Sequence, residues 1–580
     1  MKLNRPGKIT GVFVLFSLLT LIATYPLIFK INSSIPGFFS TDEPFSVLWH
    51  YWWLKFSFIN HIPETFCNFV AYPFGIDFSG NLNMPVWSTI FKYLSIFTNE
   101  IFAYNIMLIS SFILSGFLGY YLVEYLTGSY IIGIFAGFAY TFLPYHFVRS
   151  WQHPSLALIE LIPLAVIFLL KLYELKKIRY AIFLGLAIAL SVHLNTYYAF
   201  FLFLACVLFI LMIFFKSFIL WLKKKPPILS LKLIKLFLIA AIVTIVLSLP
   251  VIISNFKFIN LINKKGTFVS AWSVSTRPFE DLFTQSARPL SYFLPSAQNP
   301  IFGKFTEFFI GSKLYGDSYT EHTLYLGWTL LILAFVAFRK RRYLKDNNPG
   351  KAYAIDFFIW LVIAFWFISQ PPWWKIFGFK LYMPSYFFYK FLPAVRAYCR
   401  AGIVVMLGII VLSGFSVKYF LDKIKVKSKQ RIFLIMIFSL LTIEFLNIPW
   451  QHNLDLSKAP GVYSWLKEQP KDSVIAEYPL DINGPNPDYQ FYQTKHNKRM
   501  VNCTIPGSEA NRVAKTMVEL SNPATIFKLN DWGVGYIILH LDKYTESELL
   551  SQAEELERIR NSNYLTFFKK FPNVEVYRIK

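Results

Sequence analysis

Long apolar stretches separated by short polar clusters occupy the first 450 positions of the chain. Most of them approach the ~20 apolar residues that an α-helix needs to cross the ~30 Å hydrocarbon core of a bilayer. The pattern therefore predicts an α-helical polytopic membrane protein with about eleven transmembrane helices. The predicted spans cover residues 9–29, 99–126, 129–147, 154–171, 180–195, 197–221, 233–254, 322–338, 353–369, 400–420 and 432–449.

After about Asp455 the pattern changes, because the apolar runs shorten to strand length and charged residues become frequent. The chain is thus predicted to comprise a membrane domain over residues 1–450 and a C-terminal α/β domain over residues 451–580. The predicted strands cover 473–478, 534–541 and 574–579, and the predicted helices cover 461–468, 509–520 and 547–560.

Composition excludes an ordinary soluble globule. Hydrophobic residues make up 55% of the chain and charged residues only 16%, whereas soluble domains are about a quarter charged. The four cysteines are scattered without CxxC spacing, a pattern that favours neither a disulfide framework nor a zinc site.

The chain is strongly basic, with 57 Lys and Arg against 33 Asp and Glu. Residues 451–580 contain 16 basic and 16 acidic residues, so the whole excess lies in the apolar part. Short basic clusters between spans are typical of cytoplasmic loops and not of a surface that binds nucleic-acid phosphates. We therefore expect no nucleic-acid partner. The clusters lie at 171–179, 223–225, 339–345 and 423–431.

Topology follows from these clusters. Basic residues precede the first span and no small-residue cleavage site follows it, which predicts a retained signal anchor in the plasma membrane with its N-terminus inside. Threading eleven spans from there places every basic cluster in the cytoplasm. The same threading places the C-terminal domain and three long loops, 31–98, 255–321 and 370–399, on the extracytoplasmic face. Function is expected on that face.

An acidic pair, Asp42 and Glu43, follows the first span within a few residues. Carboxylates so close to a membrane are costly unless they have a function. The next residues can form an amphipathic helix lying in the interface, because Trp49, Trp52 and Trp53 recur at helical spacing. A structural explanation therefore stays open, in which Asp42 caps this helix and Glu43 faces water.

Seven motifs, spread over nearly the whole chain, carry a family resemblance. They are TDEPFSVLWHYWW, YPFGIDF, LPYHFVRSWQHPSLALIELIPL, RPLSYFLPSAQNPIFG, EHTLYLGW, VYSWLKEQPKDSVIAEYPL and YQFYQTKHNKRMVN. With the paired acid in the first outer loop, they resemble the polytopic glycosyltransferases of the C fold. More specifically, the arrangement is similar to a largely uncharacterised bacterial and archaeal family of that fold. The resemblance implies an enzyme that uses a polyprenyl-phosphate sugar donor.

The resemblance also implies that Asp42 and Glu43 are catalytic. In C-fold transferases an acidic residue of the first outer loop acts as general base on the acceptor or helps to hold a divalent cation at the donor phosphate. Many relatives have Asp-x-Asp, whereas this chain has an adjacent pair, as the protein O-mannosyltransferases do. Adjacent acids alone do not specify a metal, so Mg²⁺ or Mn²⁺ at Asp42 and Glu43 is left open.

The chemistry of such a transfer requires both a base and cationic groups. An acceptor hydroxyl must lose its proton and align opposite the anomeric carbon, which makes the transfer inverting, while the departing phosphate is stabilised. Each outer-face arginine is a candidate phosphate ligand, although each is also explained as an interfacial anchor. These arginines are Arg277, Arg288, Arg396 and Arg400, with Arg149 nearby at the end of the third span.

Other polar residues at or near the spans are candidates for donor or acceptor contact. Glu160 is the most suggestive, because a carboxylate inside an apolar span usually faces a cavity or a partner. His153 and the pair Glu321–His322 are also explained as satisfied interface groups, and the polar break at 191–198 as a short turn. The full set is Asp77, His153, Glu160, His193, Glu321 and His322.

Three functional classes remain. The favoured one is a membrane glycosyltransferase that moves a sugar from a lipid-linked donor to a glycan, lipid or protein acceptor on the extracytoplasmic face. A lipid or oligosaccharide transporter or flippase predicts internal repeats with broken helices at matched positions, and no such repeat is found in the sequence. A non-catalytic membrane scaffold would leave Asp42 and Glu43 dispensable.

Overall fold

The chain forms two compact units, each assembled from separated segments. The helical unit comprises Met1–Lys30, Asn105–Pro250 and Thr276–His452, and the tail unit comprises Ile31–Tyr104, Val251–Ser275 and Asn453–Lys580. The computed structural model describes residues 5–37, 42–78, 85–264, 278–309, 319–393, 395–447, 453–480, 486–504, 508–545 and 550–580.

Seven helical segments in the described part of the chain are long and apolar enough to cross a membrane. The prediction of an integral membrane protein is confirmed. The count of eleven is not, because three of the remaining helices are shorter and Lys427–Phe445 begins with a basic turn. The seven are Glu100–Thr127, Tyr130–Gln152, Pro154–Leu175, Thr196–Leu222, Leu231–Ser254, Pro349–Ser369 and Tyr398–Lys423, and the three shorter ones are Gly7–Ala23, Ile178–Leu194 and Trp328–Arg339.

Several of these segments contain breaks, and short elements connect them. Among the described residues from Arg5 to Phe445, and apart from the first outer loop, the α-helices are Arg5–Ala23, Glu100–Thr127, Tyr130–Thr141, Pro144–Gln152, Pro154–Ala157, Leu161–Leu175, Ile178–Leu194, Thr196–Leu222, Leu231–Lys264, Asp281–Thr284, Gly303–Glu307, Tyr319–His322, Trp328–Arg339, Arg341–Asn347, Ala352–Ser369, Pro384–Phe391, Gly402–Lys423 and Lys427–Phe445. Single 3₁₀ turns lie at Leu27–Lys30, Pro289–Tyr292, Pro349–Lys351 and Tyr398–Ala401.

The core of the helical unit surrounds the helix Gly402–Lys423, which is buried from Gly402 to Val417. A helix that is apolar on all sides belongs in an interior. Its small residues allow close approach, since the hydroxyl groups of Ser413 and Ser416 donate to the carbonyls of Leu330 and Leu333 at 2.9 and 2.5 Å. These short side-chain-to-backbone hydrogen bonds hold the neighbouring helix Trp328–Arg339 against Gly402–Lys423.

The polar break at 191–198 is a short turn between two helices. Asn195 is the N-cap of Thr196–Leu222, and its side-chain oxygen accepts hydrogen bonds from the backbone N–H groups of Tyr197 and Tyr198 at 3.0 and 3.3 Å. An Asn in this position satisfies N–H groups that a helix start leaves without partners. The capping geometry explains why polar residues interrupt an otherwise apolar stretch.

The tail unit contains a five-stranded mixed sheet, which confirms the predicted C-terminal α/β fold. In chain order the strands of the protein are β1 Ser34–Pro36, β2 Phe66–Cys67, β3 Ile76–Asp77, β4 Trp373–Ile376, β5 Phe379–Tyr382, β6 Asn453–Asp455, β7 Val474–Tyr478, β8 Arg499–Met500, β9 Val534–His540, β10 Leu565–Phe571 and β11 Val574–Ile579. The large sheet has the order β10-β11-β9-β7-β8, with β7 parallel to β8 and β9, and β11 antiparallel to β9 and β10. The three strands predicted from periodicity are β7, β9 and β11.

Eight helices lie wholly within the described residues of the tail unit. They are Asp42–Ile59, Pro85–Phe97, Gly461–Glu468, Asn486–His496, Glu509–Lys515, Pro523–Asp531, Leu541–Thr545 and Leu550–Arg560.

The first of these, Asp42–Ile59, packs its aromatic face into the core of the tail unit. Trp49 and Trp53 are buried among side chains of the C-terminal segment, and the indole N–H of Trp49 donates to the side-chain oxygen of Gln493 at 2.7 Å. Farther along the loop, the backbone N–H of Ala71 donates to the carbonyl of Asn502 at 2.8 Å. The expectation of a helix lying in the membrane interface is therefore wrong, because protein side chains cover the aromatic face.

Replacing Trp53 tests this packing. We expect Trp53→Ala to destabilise the tail unit by about 3–5 kcal/mol, because it leaves a cavity where a fully buried indole was. Hydrogen–deuterium exchange of the purified full chain would show faster exchange in Gly461–Glu468 and Asn486–His496. The control is Phe527→Ala, since Phe527 is 53% exposed in the same unit. Equal exchange in the two variants would contradict the assignment of the loop helix to this core.

His496 makes the tail unit sensitive to acid. Burial, and then the charge of Lys498, lower the pKa of His496 to about 3, and its Nδ1 accepts a hydrogen bond from the backbone N–H of Lys498 at 3.0 Å. The unfolded chain binds this proton near pH 6.5 and the folded chain does not. Stability is therefore complete above pH 6.5 and falls by up to about 1.4 kcal/mol per unit as the pH drops towards 3.

The variant His496→Gln keeps an acceptor but does not titrate. We expect its melting temperature to decline less between pH 6.5 and 4.5 than that of the unaltered chain. Identical declines would show that other groups govern the acid response.

Candidate functional site

A buried carboxylate, that of Glu321, joins three segments of the helical unit. Glu321 lies on the short helix Tyr319–His322, which packs against Pro144–Gln152 and the turn Tyr398–Ala401. Proline at the first position starts the helix at Pro144, where its missing N–H costs nothing. That helix places Arg149 beside Glu321, and the turn places Arg400 there.

The hydrogen bonds of Glu321 are short and charged. One carboxylate oxygen accepts from Nη2 of Arg149 at 2.7 Å, and the other accepts from Nη2 and Nε of Arg400 at 2.6 and 3.1 Å. The thiol of Cys399 donates at 2.9 Å. Burial opposes ionisation, but Arg149 and Arg400 outweigh it and hold the pKa of Glu321 well below its usual range. Glu321 is therefore ionised.

The centre formed by Arg149, Glu321 and Arg400 has two positive groups and one negative group. Arg149 is fully buried, and its Nε and Nη1 have no hydrogen-bond acceptor among the described residues. The ring of Tyr145 lies 4.8 Å from the guanidinium carbon of Arg149, which offers a cation–π contact but no acceptor lone pair. The centre thus has one more positive than negative group, and the N–H groups at Nε and Nη1 of Arg149 are available to donate to an anion.

His322 and Arg288 lie close to this centre. Burial, followed by the charge of Arg288, lowers the pKa of His322 to about 4, so this imidazole is neutral near pH 7. The guanidinium of Arg288 donates to the carbonyls of Phe283 and Ser286 at 2.5 and 3.3 Å.

The other predicted phosphate ligands are placed differently. Nη1 of Arg396 forms an ion pair with Asp281 at 2.6 Å, so its charge is already balanced. Arg277 lies outside the described residues. Of the outer-face arginines proposed from sequence, Arg149 and Arg400 are the two that meet at one carboxylate.

Glu160 belongs to a different polar group. It is buried and accepts a hydrogen bond from the hydroxyl of Ser111 at 2.6 Å, and Nε2 of His146 lies 3.5 Å from the same hydroxyl. His146 and Ser111 were not predicted from sequence, because neither stands out in an apolar stretch. This group is a hydrogen-bonded cluster in the interior of the helical unit.

The two remaining histidine candidates, His153 and His193, lie where helices meet. His153 separates the helices Pro144–Gln152 and Pro154–Ala157 and is half-buried. Nε2 of His193 lies 2.9 Å from the carbonyl oxygen of Leu247. This hydrogen bond connects the helices Ile178–Leu194 and Leu231–Lys264. A role for either residue in ligand binding stays a prediction.

The acidic candidates of the first outer loop lie in the tail unit. Asp42 and Glu43 are the first two residues of Asp42–Ile59; Glu43 is half-buried, and the side chain of Asp42 lies outside the described part. Asp77 is in β3, opposite Phe66. No group of three or more His, Cys, Asp or Glu side chains among the described residues is arranged to hold a metal ion. A metal at Asp42 and Glu43 stays a prediction.

Comparisons with known proteins establish the fold. No family model matches the sequence, and no curated protein matches it. The chain is similar to a crystal structure of the Archaeoglobus fulgidus oligosaccharyltransferase tethered to an acceptor peptide with the NVT sequon, with a TM-score of 0.53 and 13% identity over 97% of this chain and 74% of the other.

A second structure of that oligosaccharyltransferase, in complex with zinc and sulfate, gives a TM-score of 0.50 and 13% identity over 92% of this chain and 68% of the other. The likeness confirms the predicted glycosyltransferase C-like fold.

The variant Glu321→Gln tests the energetic importance of the buried centre. We expect it to cost about 3–5 kcal/mol, because two buried guanidinium groups lose their counter-charge. The control is Glu444→Gln, since buried Glu444 receives its bonds from the neutral backbone and hydroxyl of Thr329 at 3.1 and 2.7 Å. Melting of both variants in detergent would compare them. A Glu321→Gln variant as stable as Glu444→Gln would contradict the ion-pair geometry.

Proposed function

We propose that this protein is an inverting membrane glycosyltransferase. It transfers a sugar from a polyprenyl-phosphate-linked donor to a glycan, lipid or protein acceptor on the extracytoplasmic face. The fold supports this class of reaction, and the composition of the helical unit suits a donor that is anchored in lipid.

The observation that carries the proposal is the surplus positive charge around Glu321. A departing polyprenyl phosphate carries negative charge, and preorganised cations in a water-poor site stabilise such charge strongly. Arg149 offers Nε and Nη1, which have no acceptor among the described residues. Glu321 holds both guanidinium groups in place, so we assign it as a positioning residue and Arg149 and Arg400 as phosphate ligands.

The acceptor requires a base, and this role is assigned to the pair Asp42 and Glu43. A carboxylate that removes the hydroxyl proton as the hydroxyl attacks the anomeric carbon lets the oxygen bond form while the sugar–phosphate bond breaks. Attack opposite the phosphate inverts the configuration at that carbon. Either residue of the pair is suited to this role, and the variants below distinguish them.

A divalent cation, Mg²⁺ or Mn²⁺, is an additional part of the proposal. Oxygen ligands suit both ions, and Asp42 and Glu43 would supply them. Two adjacent carboxylates do not complete such a coordination shell, so donor phosphate and water would supply the remaining ligands. Such an ion would offset negative charge on the donor phosphate.

Sugar transfer by purified variants in nanodiscs, from a synthetic polyprenyl-phosphate donor, tests the roles. We expect Asp42→Asn to lower kcat by ~10²–10⁴-fold if Asp42 is the base, and Glu43→Gln to do so if Glu43 is. Arg149→Lys keeps the charge but loses the guanidinium fork, and it should raise the KM for the donor by about tenfold, or about 1.4 kcal/mol.

The control is Arg560→Lys, because Arg560 is half-exposed and pairs with Glu575 at 2.9 Å in the tail unit. Transfer at the unaltered rate by the double variant Asp42→Asn, Glu43→Gln would refute the assignment of the base. It would favour a transporter or a scaffold.

A further inference from the structure

The tail unit contains a second buried polar centre, which the sequence did not reveal. Glu477 on β7 and His540 at the end of β9 lie on neighbouring parallel strands, whose carboxyl ends meet at one edge of the sheet. Nε2 of His540 is 2.7 Å from a carboxylate oxygen of Glu477, and the hydroxyl of Tyr463 donates to the same oxygen at 2.8 Å. The side chains of Glu477 and His540 are both buried.

Glu477 is fully buried, and its second oxygen, Oε1, has no hydrogen-bond partner among the described residues. A buried carboxylate oxygen without a donor is costly. The two partners of Glu477, His540 and Tyr463, both line a cavity of about 340 Å³. A polar ligand in this cavity would meet a histidine that the carboxylate holds in a fixed orientation.

The cavity has aromatic walls and an acidic rim. Its volume is at the lower end of the range for small-molecule sites, about 300–1,000 Å³. The rings of Tyr463 and Tyr492 stack at 4.4 Å, and Phe45 stacks on Phe491 at 4.8 Å. The charged lining residues are Asp455, Asp488, Asp542 and Lys543, and the imidazole of His540 also lines the cavity.

The charge of the lining residues determines which ligands the cavity can bind. Lys543 forms an ion pair with Asp488 at 2.9 Å, and with three aspartates against one lysine the lining is acidic overall. A phosphate or carboxylate ligand would be repelled, and an apolar ligand would leave the polar lining desolvated. A neutral polyhydroxylated ligand fits both features, because its C–H faces contact aromatic rings and its hydroxyl groups bond to carboxylate, imidazole and amide groups.

The cavity and the candidate base are connected by one helix. Phe45 lines the cavity and lies two residues after Glu43 on the same helix, Asp42–Ile59. We infer that this cavity binds the acceptor and that the acceptor is a neutral saccharide. The role of this saccharide as acceptor rests on the proposed function. The binding of a saccharide in the cavity does not depend on it.

Binding of neutral glycans to the purified full chain, in nanodiscs and without donor, tests the inference. The probes are a neutral glycan array and, in solution, mannotriose and cellotriose. We expect saturable binding that falls at least about tenfold in Tyr492→Ala, which removes a wall, and in His540→Gln, which removes the held imidazole. Melting temperatures establish that each variant is folded.

The matched control is Glu575→Gln. Glu575 is a buried carboxylate on the same sheet, bonded to Arg560 and Tyr577 at 2.9 and 2.8 Å, and it does not line the cavity. This variant should bind glycan as the unaltered chain does. Binding that is lost equally in Glu575→Gln and Tyr492→Ala would overturn the assignment of the cavity.

The outcomes separate this inference from the proposed function. Absence of binding to every neutral glycan, with sugar transfer to a peptide or lipid intact, overturns the inference and leaves the glycosyltransferase. Binding of an oligolysine peptide in place of glycans likewise overturns it, because the acidic rim would then be selecting a cation. Glycan binding that depends on Tyr492 and His540, without any transfer, supports the cavity and refutes the proposed function.

Discussion

The carboxylate of Glu321, held between Arg149 and Arg400, is the constraint on which the helical unit depends. Charges inside an apolar interior are tolerated only when they are paired and hydrogen-bonded. Glu321 therefore fixes three segments that are distant in sequence, since the bond to Arg149 spans 172 positions and the bond to Arg400 spans 79. The apolar helices then pack around this arrangement, and the helix Gly402–Lys423 begins just after Arg400.

The tail unit is organised by apolar burial. The helix Asp42–Ile59 contributes Trp49, Trp52 and Trp53 to a core that it shares with the C-terminal segment. An element that is packed over most of its length is a rigid support. The backbone of this helix and Phe45 in the cavity wall are therefore held by the same packing.

The two polar centres differ in charge, and each favours a different kind of ligand. Around Glu321 the positive groups outnumber the negative one, which favours an anionic leaving group. Around Glu477 a neutral tyrosine and a histidine satisfy one oxygen, while aspartates form the rim of the cavity. This environment favours hydroxyl-rich neutral ligands.

Periodicity alone was sufficient to predict many of the local elements. Apolar runs predicted the membrane helices, and alternation predicted β7, β9 and β11, because hydrophobic spacing is set by the geometry of each element. The helix 461–468 was predicted with the bounds that the structure has. The motif resemblance correctly indicated the C fold.

Only the tertiary structure decided which groups meet. The aromatic stripe around Trp49 shows that one helix face is apolar, but a stripe does not specify whether lipid or protein covers it. Similarly, Glu321 and Arg149 are recognisable as unusual charges, but their pairing depends on segments that fold together from far apart. Glu477 and His540 are 63 positions apart and meet because two parallel strands end at the same edge of a sheet. Burial and ion pairing are long-range properties of the folded chain, whereas helix and strand spacing are local.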